Sequence, residues 1–412
     1  VIVNIDDLRE RARRRLPRAI FDYVDGGAED EVTLRANRSG FQRYTFSPRV
    51  LVDVSNRDQS TTVLGQRLAS PLILAPTGFT GMLWPQGEVA GARAAARKQL
   101  VYTLSTMSIC SMEQVAEASS GPLWFQLYVW RDREITRSLI ERARAAGYQA
   151  LVVTVDTPVL GQRERDVRNG LVVPPRIMLQ NVLDTVGRVG WVSAMLRAPK
   201  ITFGNFTDTP SVRHDPVSVA EFTTQQFSPA VSWADLDWFR SIWPGPLAIK
   251  GVMAAEDACR ALDHGVDAIV VSNHGGRQCD YLPGAVEVLA EIVDAVEDRA
   301  EVILDGGVRR GSDVVKAVAL GARACMIGKA YNYGVAAGGQ RGAEKAIDIL
   351  QKEIDRCLAL IGRPRLSELD RSVLRVSETA SRRVGDTASG RNGEEARRRN
   401  GDAARGRIGE WA

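Results

Sequence analysis

The run EVILDGGVRRGSDVVKAVALGARACMIGK, residues 301–329, decides how the rest of the chain is read. It opens on a short apolar stretch, EVILD, crosses a polar turn with two glycines, and continues as SDVVKAVAL. There Val314, Val315 and Val318 recur at helical spacing, and Gly321 supplies the usual helix stop. A second apolar stretch, ACMIG, follows. A buried strand, an amphipathic helix and another buried strand within about thirty residues make a βαβ unit. Both apolar stretches are continuous and not alternating, so each strand is covered on both faces, as parallel strands are.

The same rhythm extends outward on the N-terminal side. Six further apolar runs precede the pair: PLILAP (71–76), VYTLS (101–105), LWFQLY (123–128), ALVVTVD (150–156), PLAIKG (246–251) and AIVVSN (268–273). Ala-rich amphipathic segments such as EVAGARAAARK and AAEDACRALDHG separate most of them, and Gly147 and Gly265 close two more helices. Eight strands alternating with helices predict an α/β fold, a (β/α)8 TIM barrel and not an open doubly wound sheet.

One connection breaks the pattern. About ninety residues separate Thr157 from Pro246, far more than a loop and a helix need. An insertion over about 171–232 after the fourth strand is therefore expected. It reads as a lid or subunit contact, or, since Trp191, Met195 and Leu196 sit among cations, as a peripheral membrane contact. The barrel domain should span 1–370. The Gly-, Arg- and Glu-rich remainder, 371–412, is expected to be disordered.

Composition narrows the function. The chain has 412 residues, 44% hydrophobic and 25% charged, enough for a large core. Of its +4 net charge, the stretch from Ser381 carries eight Arg against five acids, which leaves the body nearly neutral. That argues against a nucleic-acid footprint. Five scattered cysteines without a CxxC spacing read as reduced thiols and give no metal site. The start reads as an Arg-rich helix and not as a leader, and no apolar run approaches the length of a spanning helix, so a cytoplasmic protein is expected.

In a barrel, chemistry collects at the C-terminal ends of the strands. That rule selects Pro76, Thr77 and Gly78; Ser105; Gln126 and Tyr128; Thr154 and Asp156; Lys250; His274 and Arg277; Asp305 and Arg309; and Gly328 with Lys329. The loops after strands seven and eight, with Gly307, Arg309 and Lys329, suit a phosphate. His274, in VVSNHGGRQ (270–278), has the pKa range of a general base, and its glycine neighbours allow close approach. His264 ends a helix, and His214 in the insertion is expected to be solvated. Arg163 and Arg277 are forks suited to a carboxylate. Lys250 is open to two roles, a Schiff-base lysine or an anion stabiliser. From the residues alone this is a phosphate-bearing barrel acting on a small carboxylate.

LPRAIFDYVDGGAEDE (16–31), FQLYVWRDRE (125–134), TVDTPVLGQRERDVRNG (154–170), IKGV (249–252), SNHGGRQ (272–278) and residues 305–321 resemble the FMN-dependent L-2-hydroxy-acid oxidase/dehydrogenase family, with its glycolate oxidase, lactate and mandelate branches. The resemblance covers about residues 4–370. It implies FMN as cofactor and oxidation of an L-2-hydroxy acid, lactate or mandelate type, to the 2-keto acid. By this likeness His274 is the base, Asp156 its carboxylate partner, Tyr128 the hydroxyl beside the substrate oxygen and Lys250 the cation near flavin N1. Arg163, Arg277 and Tyr23 hold the substrate. Pro76, Thr77, Gly78, Ser105, Gln126 and Thr154 contact the isoalloxazine; Asp305, Arg309, Gly328 and Lys329 hold the ribityl and phosphate groups.

Two departures stand out. Lys329 replaces the family's usual arginine and loses its fork, and Met107 stands near a tryptophan position of glycolate oxidase, which leaves room for a larger substrate. The residue matching Gly78 is glycine in mandelate dehydrogenase, as here, and usually alanine in the true oxidases of the family, though some glycine-bearing relatives use oxygen. With no CxxCH and no NAD fingerprint, electrons are expected to pass to a quinone or another carrier. The alternatives are an oxidase that makes hydrogen peroxide, a Schiff-base aldolase and a catalytically inactive binding barrel. A homo-oligomer, a tetramer, in the cytoplasm or peripheral on the cytoplasmic face of the membrane, completes the expectation.

Overall fold

A computed structural model of the chain describes residues 1–171, 179–199, 201, 203–206 and 227–376. Eight strands close a barrel: β1 (Leu72–Leu74), β2 (Val101–Ser105), β3 (Leu123–Leu127), β4 (Ala150–Thr154), β5 (Leu247–Val252), β6 (Ala268–Val271), β7 (Glu301–Asp305) and β8 (Ala324–Ile327). All eight neighbouring pairs are parallel and follow chain order, with β8 paired back onto β1. The fold is the expected (β/α)8 barrel. Its strands are buried almost end to end, which is why their sequences read as unbroken apolar runs.

Local signals set the helix ends. Ser111 and Gln114 form a capping box, and the Asp132 side chain accepts from the N–H groups of Glu134 and Ile135. Gly147, Gly265 and Gly321, the expected stops, all take positive φ.

The N-terminal segment fits over the barrel mouth. Helix Ile5–Arg15 packs on the long helix Lys329–Ile361, and Arg15 donates to the carbonyls of Leu83 and Ala336. Helices Arg18–Asp25 and Val32–Ser39 then carry Tyr23, Asn37 and Arg38 to the mouth.

The chain stays in the fold beyond the boundary expected at 370. Asp370 caps a short turn at Arg371–Val373, and Leu374–Val376 pairs antiparallel with Tyr44–Phe46. The buried side chain of Val373 anchors this return, a contact that local composition does not reveal. The rest of the tail lies outside the described residues. Within the insertion, helices Leu179–Gly187 and Val189–Leu196 and the turn Gly204–Phe206 precede helix Ala234–Ile242, which returns the chain to β5.

Candidate active site

The polar residues at the strand ends meet in one cavity of about 410 Å³. Tyr23, Pro76, Thr77, Gly78, Ser105, Gln126, Tyr128, Thr154, Arg163, Lys250, His274, Arg277, Asp305, Gly307, Arg309, Gly328 and Lys329 all line it. Asp156 alone stands behind the wall, bonded to His274. His264 caps its helix and pairs with Asp237 over Trp233, remote from the site, and His214 lies outside the described residues.

His274 follows β6 in a left-handed conformation, φ 58°, with its N–H on Ser272 Oγ at 3.1 Å. Its Nδ1 lies 2.8 Å from Asp156 Oδ1, and its Nε2 lies 3.4 Å from the Tyr128 hydroxyl. This pattern assigns the proton to Nδ1 and leaves a lone pair on Nε2. Burial pushes the His274 pKa below its ordinary value, against the opposing pull of Asp156. Burial acts to raise Asp156, but the imidazole and Lys250 more than offset it, and its pKa falls. The pair therefore rests as neutral imidazole and carboxylate.

Lys250 ends in a second charge network. Its Nζ donates to Ser272 Oγ at 2.9 Å and pairs with Asp305 Oδ2 at 2.8 Å, and Ser272 Oγ also donates to Asp305. Burial opposes its charge, yet Asp305 and Asp156 raise its pKa overall. A Schiff-base lysine needs a neutral amine, so this ammonium fits the anion-stabilising role and not the aldolase alternative. Across β2, β3 and β4, Ser105 donates to Gln126, and Gln126 Nε2 donates to Thr154 at 2.9 Å. Thr77 is held by Tyr331 and Thr80.

Two pairs of cations line the cavity and meet at the Gly26 carbonyl, to which both Arg277 and Lys329 donate. Arg277 also donates to the carbonyl of Tyr23 and stacks 4.9 Å over the Tyr23 ring, with Arg163 beside it. Burial, then the nearby Arg163, lowers the Arg277 pKa to about 10. Lys329 donates to the Asp25 carbonyl as well, and Arg309 lies over Tyr333. Burial and the positive charges of Arg277 and Arg309 drive Lys329 well below its ordinary pKa. Among the described residues none of these four side chains forms an ion pair. Positive charge concentrated this way calls for anions in the cavity.

Residues that the strand-end rule did not select also line the cavity. Arg38 and Asn37 come from helix Val32–Ser39, Arg38 donating to the carbonyl of Gly307 at 2.6 Å. Gly307 sits at φ 81°, and a Cβ there would lie 1.9 Å from the Asn37 carbonyl oxygen. Phe203 and Phe227 come from the insertion and pack edge-on against Phe79 and Tyr128. Asp166, its pKa raised by burial, faces the two arginines.

A (β/α)8 barrel whose mouth gathers anion-binding cations and a carboxylate-backed histidine is an enzyme of the cofactor-bearing barrel class. The chain belongs to the FMN-dependent dehydrogenase family, whose sequence model matches residues 12–376. It is 43% identical over 368 residues to a putative L-lactate dehydrogenase of Mycobacterium tuberculosis, covering 89% of this chain and 87% of that one. Against an L-lactate oxidase of Nostoc sp. it is 44% identical over 380 residues, covering 91% and 98%. Among solved structures, the monotopic membrane protein (S)-mandelate dehydrogenase superposes with a TM-score of 0.88 at 40% identity, over 91% of this chain and all of that one.

The cofactor is FMN, and the residues present fit it. Half-buried cations without ion pairs among the described residues suit a phosphate, Gly307 brings backbone close to the Asn37 carbonyl, and Gly328 has no atom nearer its Cβ position than Thr77 at 3.6 Å.

Proposed function

We propose that this enzyme oxidises an L-2-hydroxy acid to the 2-keto acid and passes the electrons to a quinone or a similar carrier. The observation that carries this reading is His274, held through Nδ1 by Asp156 with its Nε2 beside the Tyr128 hydroxyl, in the same cavity that Arg163 and Arg277 line. Arg163 and Arg277 clamp the substrate carboxylate, helped by Tyr23. Tyr128 meets the substrate hydroxyl. His274 Nε2 then accepts the proton released in oxidation, and Asp156 stabilises the imidazolium. FMN supplies the two-electron acceptor when bound. Pro76, Thr77, Gly78, Ser105, Gln126 and Thr154 would hold its ring, with Lys250 offering a fixed positive charge there. Asp305, Gly307, Arg309, Gly328 and Lys329 would hold its ribityl and phosphate groups, and Arg38 belongs beside them.

The substrate's side chain points to the apolar part of the cavity, walled by Phe79, Met107, Leu160, Phe203 and Phe227. Such a wall favours a side chain larger than methyl, of the mandelate type, over lactate. Gly78 favours a dehydrogenase over an oxidase. The test is anaerobic: L-mandelate or L-lactate should bleach the flavin absorbance of the purified yellow protein. A folded protein that takes up no FMN, or whose flavin neither acid reduces, would sink the proposal.

We further propose a peripheral contact with the cytoplasmic face of a membrane. Among the described residues no helix is long and apolar enough to cross one. Helices Leu179–Gly187 and Val189–Leu196 nevertheless expose Val182, Leu183, Val186, Val189 and Leu196, with Arg188 and Arg197 adjacent. The enzyme should pellet with anionic vesicles at low salt and release at high salt, and no association at either would leave the insertion as a lid or subunit contact. The expected homo-tetramer belongs to the same proposal and is read by light scattering.

A further inference from the structure

Strand β5 is irregular at one residue. Its pairing with β6 runs Ala248 to Ala268, Ile249 to Ile269 and Lys250 to Val270, then jumps to Val252 with Val271. Gly251 is left over, as the extra residue of a β-bulge, at φ 111°. Bulges of this kind often re-aim side chains beside active sites.

What lies against this bulge is the end of β4. A Cβ on Gly251 would sit 2.7 Å from Asp156 Cβ, 2.8 Å from its Cγ and 3.0 Å from its backbone nitrogen. Carbon atoms do not approach so closely, and these are the root of the Asp156 side chain, not a flexible tip. Asp156 is thus confined between Gly251 and His274. Its Oδ1 meets the imidazole at 2.8 Å, while its Oδ2 is buried without a hydrogen-bond partner among the described residues. No second hydrogen bond fixes the carboxylate from behind, so packing at Gly251 does.

We propose that Gly251 is a positioning residue for the reaction: the missing side chain in the β5 bulge is what lets Asp156 reach Nδ1 of His274. The proposal rests on the reading of His274 as the base. A side chain at Gly251 pushes Asp156 off the imidazole and leaves Arg163, Arg277 and the phosphate cradle untouched. The charged groups around the ring are Asp156, Lys250 and Arg163, with the Tyr128 hydroxyl beside it, and Asp156 is the one that favours the imidazolium. Its displacement therefore lowers the His274 pKa.

The test compares the FMN-loaded wild type with Gly251→Ala, Asp156→Gly and the double variant. Three quantities are read: FMN content, the limiting rate and half-saturation of anaerobic flavin reduction by L-mandelate, and the NMR titration of the ring nitrogens. The chain has only three histidines, so the last is tractable. Gly251→Ala should keep its FMN and hold its half-saturation within about threefold, while the limiting rate falls at least about tenfold. Its His274 titration should move to lower pH. In the Asp156→Gly background the same substitution should cost distinctly less than in the wild type, because, of the collision, only the contact with the residue 156 backbone nitrogen and the strain at φ 111° remain.

An unchanged rate and titration in Gly251→Ala would overturn the proposal. So would an equal loss in the Asp156→Gly background, which would make the effect one of backbone strain. If Gly251→Ala does not hold FMN, the double variant decides: recovered binding supports the Asp156 contact, and continued failure defeats it. A wild-type flavin that no hydroxy acid reduces would instead remove the functional reading, and the His274 titration would still test the contact.

Discussion

Replacing Asp156 with Asn measures how much of the chemistry depends on the carboxylate behind the base. The exchange keeps size and removes charge. At an effective dielectric of about 20, unit charges at the observed 2.8 Å attract by about 6 kcal/mol. In the resting enzyme this attraction is absent, because His274 is neutral. It develops as the proton moves to Nε2, so it lowers the barrier and not the energy of the bound substrate. If the transition state carries half of the charge, the loss is about 3 kcal/mol, on the order of 10²-fold, and full transfer gives about 10⁴-fold. An amide facing Nδ1 can also shift the ring proton to Nε2, which blocks the base altogether. Stopped-flow reduction under anaerobic conditions separates these effects from binding. The limiting rate should fall between about 10²- and about 10⁴-fold, with half-saturation changed less than about threefold. A fall smaller than about fivefold, or a change confined to half-saturation, would refute the assignment of Asp156 as the charge partner of the base.

Arg277→Lys should weaken binding of the 2-keto acid product by about 10- to about 10²-fold, since the fork and its stacking on Tyr23 are lost. An unchanged Kd in a flavin-spectrum titration would remove Arg277 from the carboxylate clamp. The rate should also depend on pH with a definite sign. The active base is the neutral imidazole, and burial puts its pKa below 6.5, so kcat/KM should rise with pH through that depressed pKa and then level off. A profile that falls as pH rises from about 5 to about 7 would contradict this. Gly78→Ala adds a methyl 3.2 Å from Met107 Cβ and 3.3 Å from the Met107 carbonyl oxygen, so Met107 must yield by a few tenths of an ångström. Reoxidation of the substrate-reduced variant by air, relative to a soluble quinone analogue, should rise above that of the wild type. Fast peroxide production by the wild type would reverse the dehydrogenase assignment.

The barrel was legible because burial on both faces leaves an unmistakable mark, eight unbroken apolar runs. The run ends were less so. The fourth run extends through Asp156, but the ladder stops at Thr154, and beyond it the Asp156 carboxylate meets His274 Nδ1. His274, Lys250 and Asp305 stood out as polar ends of apolar strands. Arg38 and Asn37 did not, because they sit on a helix outside the barrel, and only tertiary packing lays that helix across the mouth. Phe203 and Phe227 lie in a segment without periodicity, and their neighbours Phe79 and Tyr128 are remote in sequence. Gly251 was hidden inside PLAIKG, since a bulge exists in the register between two strands and not in either one.

The cavity's charges explain why one site needs both of its anions. Arg163, Arg277, Arg309 and Lys329 sit without ion pairs among the described residues, and burial weakens the hold of Arg277 and Lys329 on their protons. Such an arrangement opposes folding unless something offsets it. On the proposed reading, a bound phosphate would offset the charge of Lys329 and Arg309, and a substrate carboxylate that of the arginine pair. His274 lies on the substrate side, where positive neighbours disfavour its protonation until Asp156 compensates. Burial first, and then Lys250 and Arg163, hold the imidazole unprotonated, and the Asp156 carboxylate is the group that opposes them.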